Sequence, residues 1–60
     1  MYKMERKGKK FVIRNDYNQL IASFEDKEKC REAILKLGYY NRENVLLVEE
    51  NIQYDFRTLP

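Results

Sequence analysis

The chain lacks histidine altogether and has a single cysteine, Cys30, among its 60 residues. A disulfide needs two cysteines, and zinc fingers and Cys/His nucleophile pairs need ligands that are missing here. Gly-rich phosphate loops, nucleophile elbows and metal-ligand spacings are missing as well. We therefore expect a protein that is not an enzyme, with no metal and no cofactor. A lone cysteine fits a reducing, cytoplasmic (intracellular) compartment.

Long apolar runs are also missing. The longest is Val45–Val48, far shorter than the roughly 20 residues that cross a bilayer, so no membrane partner is expected. The chain has only two glycines and one proline, with 43% hydrophobic and 37% charged residues. This composition is typical of a compact globular chain, and the length fits one small domain over residues 1–60.

Charge is distributed unevenly along the chain. The first fourteen residues carry six basic side chains and one acid, Glu5, whereas the remaining forty-six carry six basic and nine acidic side chains. The net charge is thus +5 at the amino-terminal end and −3 over the rest. A cationic segment of this kind is typical of a surface that contacts a polyanion such as DNA.

Alternation of apolar and polar residues predicts three short antiparallel strands before residue 25. Gly8-Lys9 interrupts the first alternation as a hairpin turn does, and the segment 15–18 is rich in turn-forming residues. Since side chains of a strand alternate between two faces, one face is predicted to be apolar. Its members are Met4, Phe11, Ile13, Leu20, Ala22 and Phe24. The opposite face is predicted to hold Lys3, Glu5, Lys10, Val12, Arg14, Gln19, Ile21 and Ser23.

A helix is predicted over residues 26–37. Asp26 is a suitable N-cap, and Gly38 is expected to adopt the left-handed conformation that ends many helices. Four apolar residues at helical spacing form one stripe that would pack on the apolar face of the sheet: Cys30, Ala33, Ile34 and Leu37. Cys30 is accordingly interpreted as an inert core residue and not as a redox thiol.

Two more strands are predicted after the helix. Val45–Val48 is β-branched and apolar enough to be a buried or interface strand, and residues 52–56 alternate again. The fold class is therefore α+β, with an antiparallel sheet in the order βββα then ββ and one helix packed on one face.

The basic hairpin carries the main functional hypothesis, which is DNA or polyanion binding by the outward face of the three strands. Antiparallel ribbons and sheets enter the major groove, where arginine contacts guanine edges and lysines neutralise phosphates. The candidate nucleic-acid-binding residues are Lys3, Lys7, Lys9, Lys10, Val12, Arg14 and Gln19. A structural alternative is that lysines on a short sheet edge prevent edge-to-edge association and have no partner.

The segment Tyr2–Leu37 resembles the Apetala/ethylene-response-factor type of DNA-binding domain and the related amino-terminal domains of phage-type tyrosine integrases. The resemblance lies in Gly8-Lys9-Lys10-Phe11-Val12-Ile13-Arg14-Asn15-Asp16, in Leu20-Ile21-Ala22-Ser23-Phe24-Glu25-Asp26 and in a following helix with Glu28 and Ala33. It implies a three-stranded sheet whose outward face lies in the major groove. The positions that it would place in the groove are Lys10, Val12, Arg14, Gln19 and Ile21, with Phe24 and Ala33 in the core.

The chain departs from that family pattern at several positions. Lys10 and Ile21 stand where aromatic contact residues are usual, and Ala22 replaces a glycine. The two strands after the helix have no counterpart in the minimal family domain.

The competing hypothesis is a small protein-interaction module, such as an inhibitor or accessory protein of a virus or mobile element. Its candidate residues are aromatic side chains of the second half, namely Tyr39, Tyr40, Tyr54 and Phe56. Most apolar residues of this half are expected to complete the core, with Tyr39 and Tyr40 remaining outside. A homodimer formed through these strands is a third possibility.

Overall fold

The computed structural model describes residues 1–58 and consists of a five-stranded sheet with one helix packed on one face. The strands are β1 (Tyr2–Lys7), β2 (Lys10–Arg14), β3 (Leu20–Phe24), β4 (Asn44–Leu47) and β5 (Ile52–Asp55), and the helix α1 (Lys27–Asn41) lies between β3 and β4. The predicted α+β class and the order of elements are confirmed. Within residues 1–58, no helix is both long and apolar enough to span a bilayer.

The sheet has the strand order β3-β2-β1-β4-β5, and one of its pairings differs from the expectation. Three neighbouring pairs are antiparallel, but β1 and β4 run parallel, so the prediction of a wholly antiparallel sheet is wrong. The helix α1 is the reason that β4 runs parallel to β1. Its 15 residues span about 22 Å and carry the chain back to the end of the sheet where β3 began. The next strand therefore runs in the same direction as β3, which is also the direction of β1.

The β1–β2 hairpin has the two-residue turn that the sequence predicts. Lys7 and Lys10 are opposite each other, and Gly8 occupies the first central position with a φ of +63°. Glycine at that position is the requirement of a type II′ turn, whose twist matches the two strands that it joins. The hairpin register that follows from this turn decides which side chains share a face.

The core lies between α1 and the sheet. Ile13, Cys30, Ile34 and Val45 have no exposed surface, and Leu47 is almost completely buried. Cys30 is therefore a buried free thiol, as predicted, and burial raises the pKa of that thiol. The apolar stripe of α1 thus packs on the apolar face of β1, β2 and β4.

Leu20 is a correction to the predicted core. The β2–β3 register shifts between Ile13 and Arg14, so that Leu20 lies opposite Arg14 and not on the apolar face. The side chain is 56% exposed. A β-bulge of this kind places two residues of one strand against one of its partner, and alternation in sequence gives no sign of it.

The end of α1 is a second correction. The helix does not stop before Gly38 but continues to Asn41, and Arg42 adopts the left-handed conformation with φ 51° and ψ 54°. Gly38 is buried inside the helix because β4 and the segment after β5 approach it closely. A Cβ atom at this position would overlap Val45 and Phe56. Gly38 therefore allows Val45 and Phe56 to pack closely against the helix, whereas the sequence predicts that it ends the helix.

Candidate nucleic-acid interface

The outward face of the sheet, opposite α1, gathers the cations of the first two strands. The register pairs Lys3 with Arg14 and Lys7 with Lys10, and it pairs Glu5 with Val12 between them. Directly opposed residues of antiparallel strands point to the same side of a sheet. We refer to Lys3, Glu5, Lys7, Lys10, Val12 and Arg14 as the outward face.

The outward face is open. Within residues 1–58, α1 packs only on the other side, where it contacts β1, β2, β3 and β4. Strands β4 and β5 extend the sheet sideways and do not fold over β1 and β2. The β4 side chain that extends this face, Leu46, lies beside Lys3.

Three of the four cations have no partner of their own. Lys3, Lys7 and Lys10 are exposed and form no hydrogen bond or ion pair with any of residues 1–58. Arg14 is half-buried, and its Nη1 donates a hydrogen bond of 3.0 Å to the backbone carbonyl of Asn18. This bond holds one edge of the guanidinium against the β2–β3 loop, while its Nε and Nη2 form no hydrogen bond within the described part of the chain.

The middle of the outward face is apolar at its base. Val12 is only 7% exposed although no other element covers it, so the neighbouring side chains of the same face bury it. A recess of about 270 Å³ opens at this point and is lined by Glu5, Lys7, Val12, Arg14 and Asn18 together with Arg6.

Lys9 and Gln19 are placed outside the rows of the strands. Lys9 is exposed in the hairpin turn at the end of the outward face. Gln19, predicted to lie on the strand face, precedes β3 and is tied into the loop by Asn15. The Asn15 side chain donates to Gln19 Oε1 at 2.8 Å and accepts from the Gln19 backbone N–H at 3.0 Å. The Gln19 amide oxygen is thus engaged within the loop. Asn15 also accepts a hydrogen bond from the Tyr17 backbone N–H, which forms an Asx-type turn there.

Arg6 is the early cation that does not belong to this surface. Its guanidinium lies over the Phe11 ring at 4.6 Å and donates two hydrogen bonds to Glu49, at 2.7 and 3.1 Å. The Arg6 hydrogen bond is the largest influence on the Glu49 carboxyl and lowers its pKa. Lys27 and Arg31 of α1 contact Glu50 in the same way, and the Lys27 hydrogen bond is the main cause of the lowered pKa of Glu50.

The four aromatic candidates of the competing hypothesis form one continuous surface, which we call the aromatic surface. Ring contacts run from Tyr40 to Tyr39 at 5.4 Å, from Tyr39 to Phe56 at 6.2 Å and from Phe56 to Tyr54 at 6.0 Å. Tyr39 and Tyr40 are 57% and 75% exposed, as expected, and Tyr54 is 36% exposed. A groove of about 310 Å³ along α1 is lined by Glu32, Leu35, Lys36, Tyr39, Tyr40 and Phe56.

Glu5 of the outward face and Leu46, which extends this face onto β4, are not among the residues that the sequence predicts to bind DNA. The sequence predicts that Glu5 lies on this face but predicts no function for it, since an acid in a basic segment matches no binding motif. Leu46 could not be assigned because its place depends on the parallel β1–β4 pairing, which links residues far apart in the chain.

Comparison with protein-family models, with curated proteins and with solved structures finds no match for this chain.

Proposed function

We propose that the protein is a small DNA-binding domain that contacts the double helix with its outward face, and that it acts by binding and not by catalysis. The observation that carries the proposal is a set of three exposed lysines and one half-buried arginine on one uncovered sheet face. No acid of residues 1–58 forms an ion pair with any of them. Exposed cations that stay unpaired are free to neutralise phosphates.

The dimensions of the face are compatible with the major groove. Lys3 and Lys7 lie four positions apart on β1, which is about 13 Å along an extended strand, and the major groove is about 12 Å wide. The charge is also local, because the outward parts of β4 and β5 offer Leu46, Gln53 and Asp55 but no cation. The positive potential is therefore concentrated where β1 and β2 lie.

A salt titration tests the proposal. Affinity for a fluorescent duplex, measured by anisotropy, is expected to fall steeply between about 50 and 200 mM salt, because each neutralised phosphate releases counterions. Lys3→Gln and Lys10→Gln are each expected to lower the affinity and to reduce the slope of log affinity against log salt by about 0.9.

The matched control removes the same charge from the helix side. Lys29→Gln changes an exposed lysine of α1, on the far side of the sheet from the outward face. This variant is expected to leave the salt slope unchanged. Equal losses in the outward-face and helix variants would mean that binding follows net charge alone, and the proposed surface would be wrong.

The aromatic surface favours a second candidate function, which is self-association. Its exposed rings are contiguous with β5, an edge strand whose residues are exposed throughout. Glu32 and Lys36 form an ion pair at 3.6 Å within α1, and a two-fold axis at this groove would also bring Glu32 of one copy next to Lys36 of the other.

Sedimentation velocity over a range of concentrations tests this second candidate. A dimer is expected to weaken in Tyr40→Ala and Tyr54→Ala. The control is Tyr17→Ala, which removes a tyrosine that is 84% exposed in the β2–β3 loop, outside the aromatic surface. A monomer at every concentration would exclude self-association.

A further inference from the structure

Glu5 is the one acid of the outward face, and its carboxylate is unused. It is half-buried at the centre of the face, flanked along β1 by Lys3 and Lys7. Even so, its carboxylate forms no hydrogen bond or ion pair with any of residues 1–58. A carboxylate would repel DNA phosphates, so its presence in the middle of a phosphate-binding face requires a different partner.

The cations of the face lie at its two ends and leave this centre to Glu5. Lys3 and Arg14 form one opposed pair, and Lys7 and Lys10 form the other. Lys7 lies four positions after Lys3, which corresponds to about 13 Å along an extended strand. This separation matches the width of the major groove, so Lys3 and Lys7 can reach phosphates on either side while the centre meets base edges.

The recess in this centre contains groups of both charges. Glu5 supplies an acceptor and Arg14 supplies donors to the same recess, and the two are not paired with each other. The Asn18 carbonyl fixes one guanidinium nitrogen of Arg14, which leaves its Nε and Nη2 hydrogens for a ligand. Val12 forms the apolar base between them.

We propose, on the basis of the DNA-binding function above, that this recess reads a C·G base pair in the major groove. Cytosine presents its N4 amino group as a donor, which Glu5 accepts, and the adjacent guanine presents O6 and N7 as acceptors for Arg14. An A·T pair fits less well, because the adenine amino group is flanked by the N7 acceptor and the thymine O4 offers a single acceptor with a methyl group. Glu5 is thus a specificity-determining residue.

The experiment selects duplexes from a pool with a randomised centre and then measures single-site affinities. The wild-type protein is expected to enrich C·G at one central position and to discriminate against A·T there by roughly five- to 150-fold, the range that one base-edge contact supplies. Glu5→Gln is expected to lose the preference for cytosine, while its affinity for the unselected pool rises because a negative charge is removed.

Two further variants distinguish recognition of the base pair from sequence-independent attraction to the phosphates. Arg14→Gln is expected to weaken selection of guanine at the same base pair. Lys10→Gln is expected to lower affinity for every sequence by the same factor and to leave the preference unchanged. Circular dichroism melts of each variant verify that the domain is folded.

The outcomes distinguish failure of base-pair recognition by Glu5 from failure of DNA binding itself. If wild type and Glu5→Gln bind duplex with the same salt dependence and the same base preference, the reading by Glu5 is wrong and the DNA-binding function stands. If no variant shows salt-dependent binding to duplex, both are overturned.

Discussion

At the residue scale, Gly38 shows how one side chain can be determined by a distant contact. It lies in the last full turn of α1 and is buried. Val45 of the central strand β4 and Phe56 after β5 occupy the space into which a Cβ would extend. Because Val45 has no exposed surface, its side chain has no room to move away. The glycine thus sets the distance between the helix and the carboxy-terminal half of the sheet.

Gly38→Ala is predicted to destabilise the protein by about 1–3 kcal/mol, the usual cost of overpacking a core. Helix propensity alone predicts the opposite sign, a gain of about 1 kcal/mol. Urea unfolding followed by circular dichroism measures the difference. Lys29→Ala, at an exposed position of α1, is the control and is expected to change stability by less than about 0.5 kcal/mol. A Gly38→Ala protein more stable than wild type would contradict the close packing.

At the element scale, the β4–β5 turn is connected to β1 and α1 by ion pairs. Glu49 accepts two hydrogen bonds from Arg6, and Glu50 contacts Lys27 at 3.1 Å and also Arg31. These contacts lie on the helix side of the sheet. They connect the β4–β5 turn to β1 and to α1 without using any residue of the outward face.

The stability of the folded protein is predicted to fall at acidic pH because Glu49 and Glu50 become protonated. The pKa values of Glu49 and Glu50 lie below their ordinary value near 4.5 in the folded protein, mainly because of the hydrogen bonds from Arg6 and Lys27. A lowered folded pKa stabilises the native state above the unfolded pKa, and this contribution is lost as the pH falls through the folded value. Melting temperatures between neutral pH and pH of about 3 measure the effect.

Glu49→Gln is the matched variant for this pH dependence. It is expected to melt below wild type at neutral pH and to approach the wild-type value in acid, where Glu49 itself is protonated. A constant difference across the whole pH range would show that the substitution acts through packing and not through the charge. The outward-face variant Glu5→Gln serves as a control, since Glu5 has no partner among residues 1–58.

At the scale of the whole molecule, the sequence alone is enough for the order of the elements and for five members of the outward face, namely Lys3, Glu5, Lys10, Val12 and Arg14. Period-2 alternation in Lys10–Arg14 placed Lys10, Val12 and Arg14 on one face because the strand is regular and its hairpin turn is short. Asp26 was correctly identified as the N-cap because its side chain accepts from Glu28 and Lys29 within the same turn. Both features are local.

The features that sequence missed are those that depend on distant partners. The parallel β1–β4 pairing is decided by where the helix returns the chain, and the exposed position of Leu20 is decided by a register shift against β2. For Gly38 the sequence predicts helix termination, because glycine is common at helix ends and the contact of Gly38 with Val45 joins residues that no local pattern connects. The four aromatic residues are named from the sequence as one candidate set, but the ring contacts of Tyr39 with Phe56 and of Phe56 with Tyr54 depend on where β5 lies.

DNA binding by the outward face is tested most directly by a two-dimensional NMR titration of the isotopically labelled protein with a short DNA duplex at low salt. Progressive shifts are expected for the backbone amides of the outward face, at Lys3, Glu5, Lys7, Lys10, Val12 and Arg14, while those of Tyr39 and Tyr40 stay unchanged. Shifts confined to α1 and the aromatic surface, or a spectrum that does not change on addition of duplex, would contradict DNA binding by the outward face.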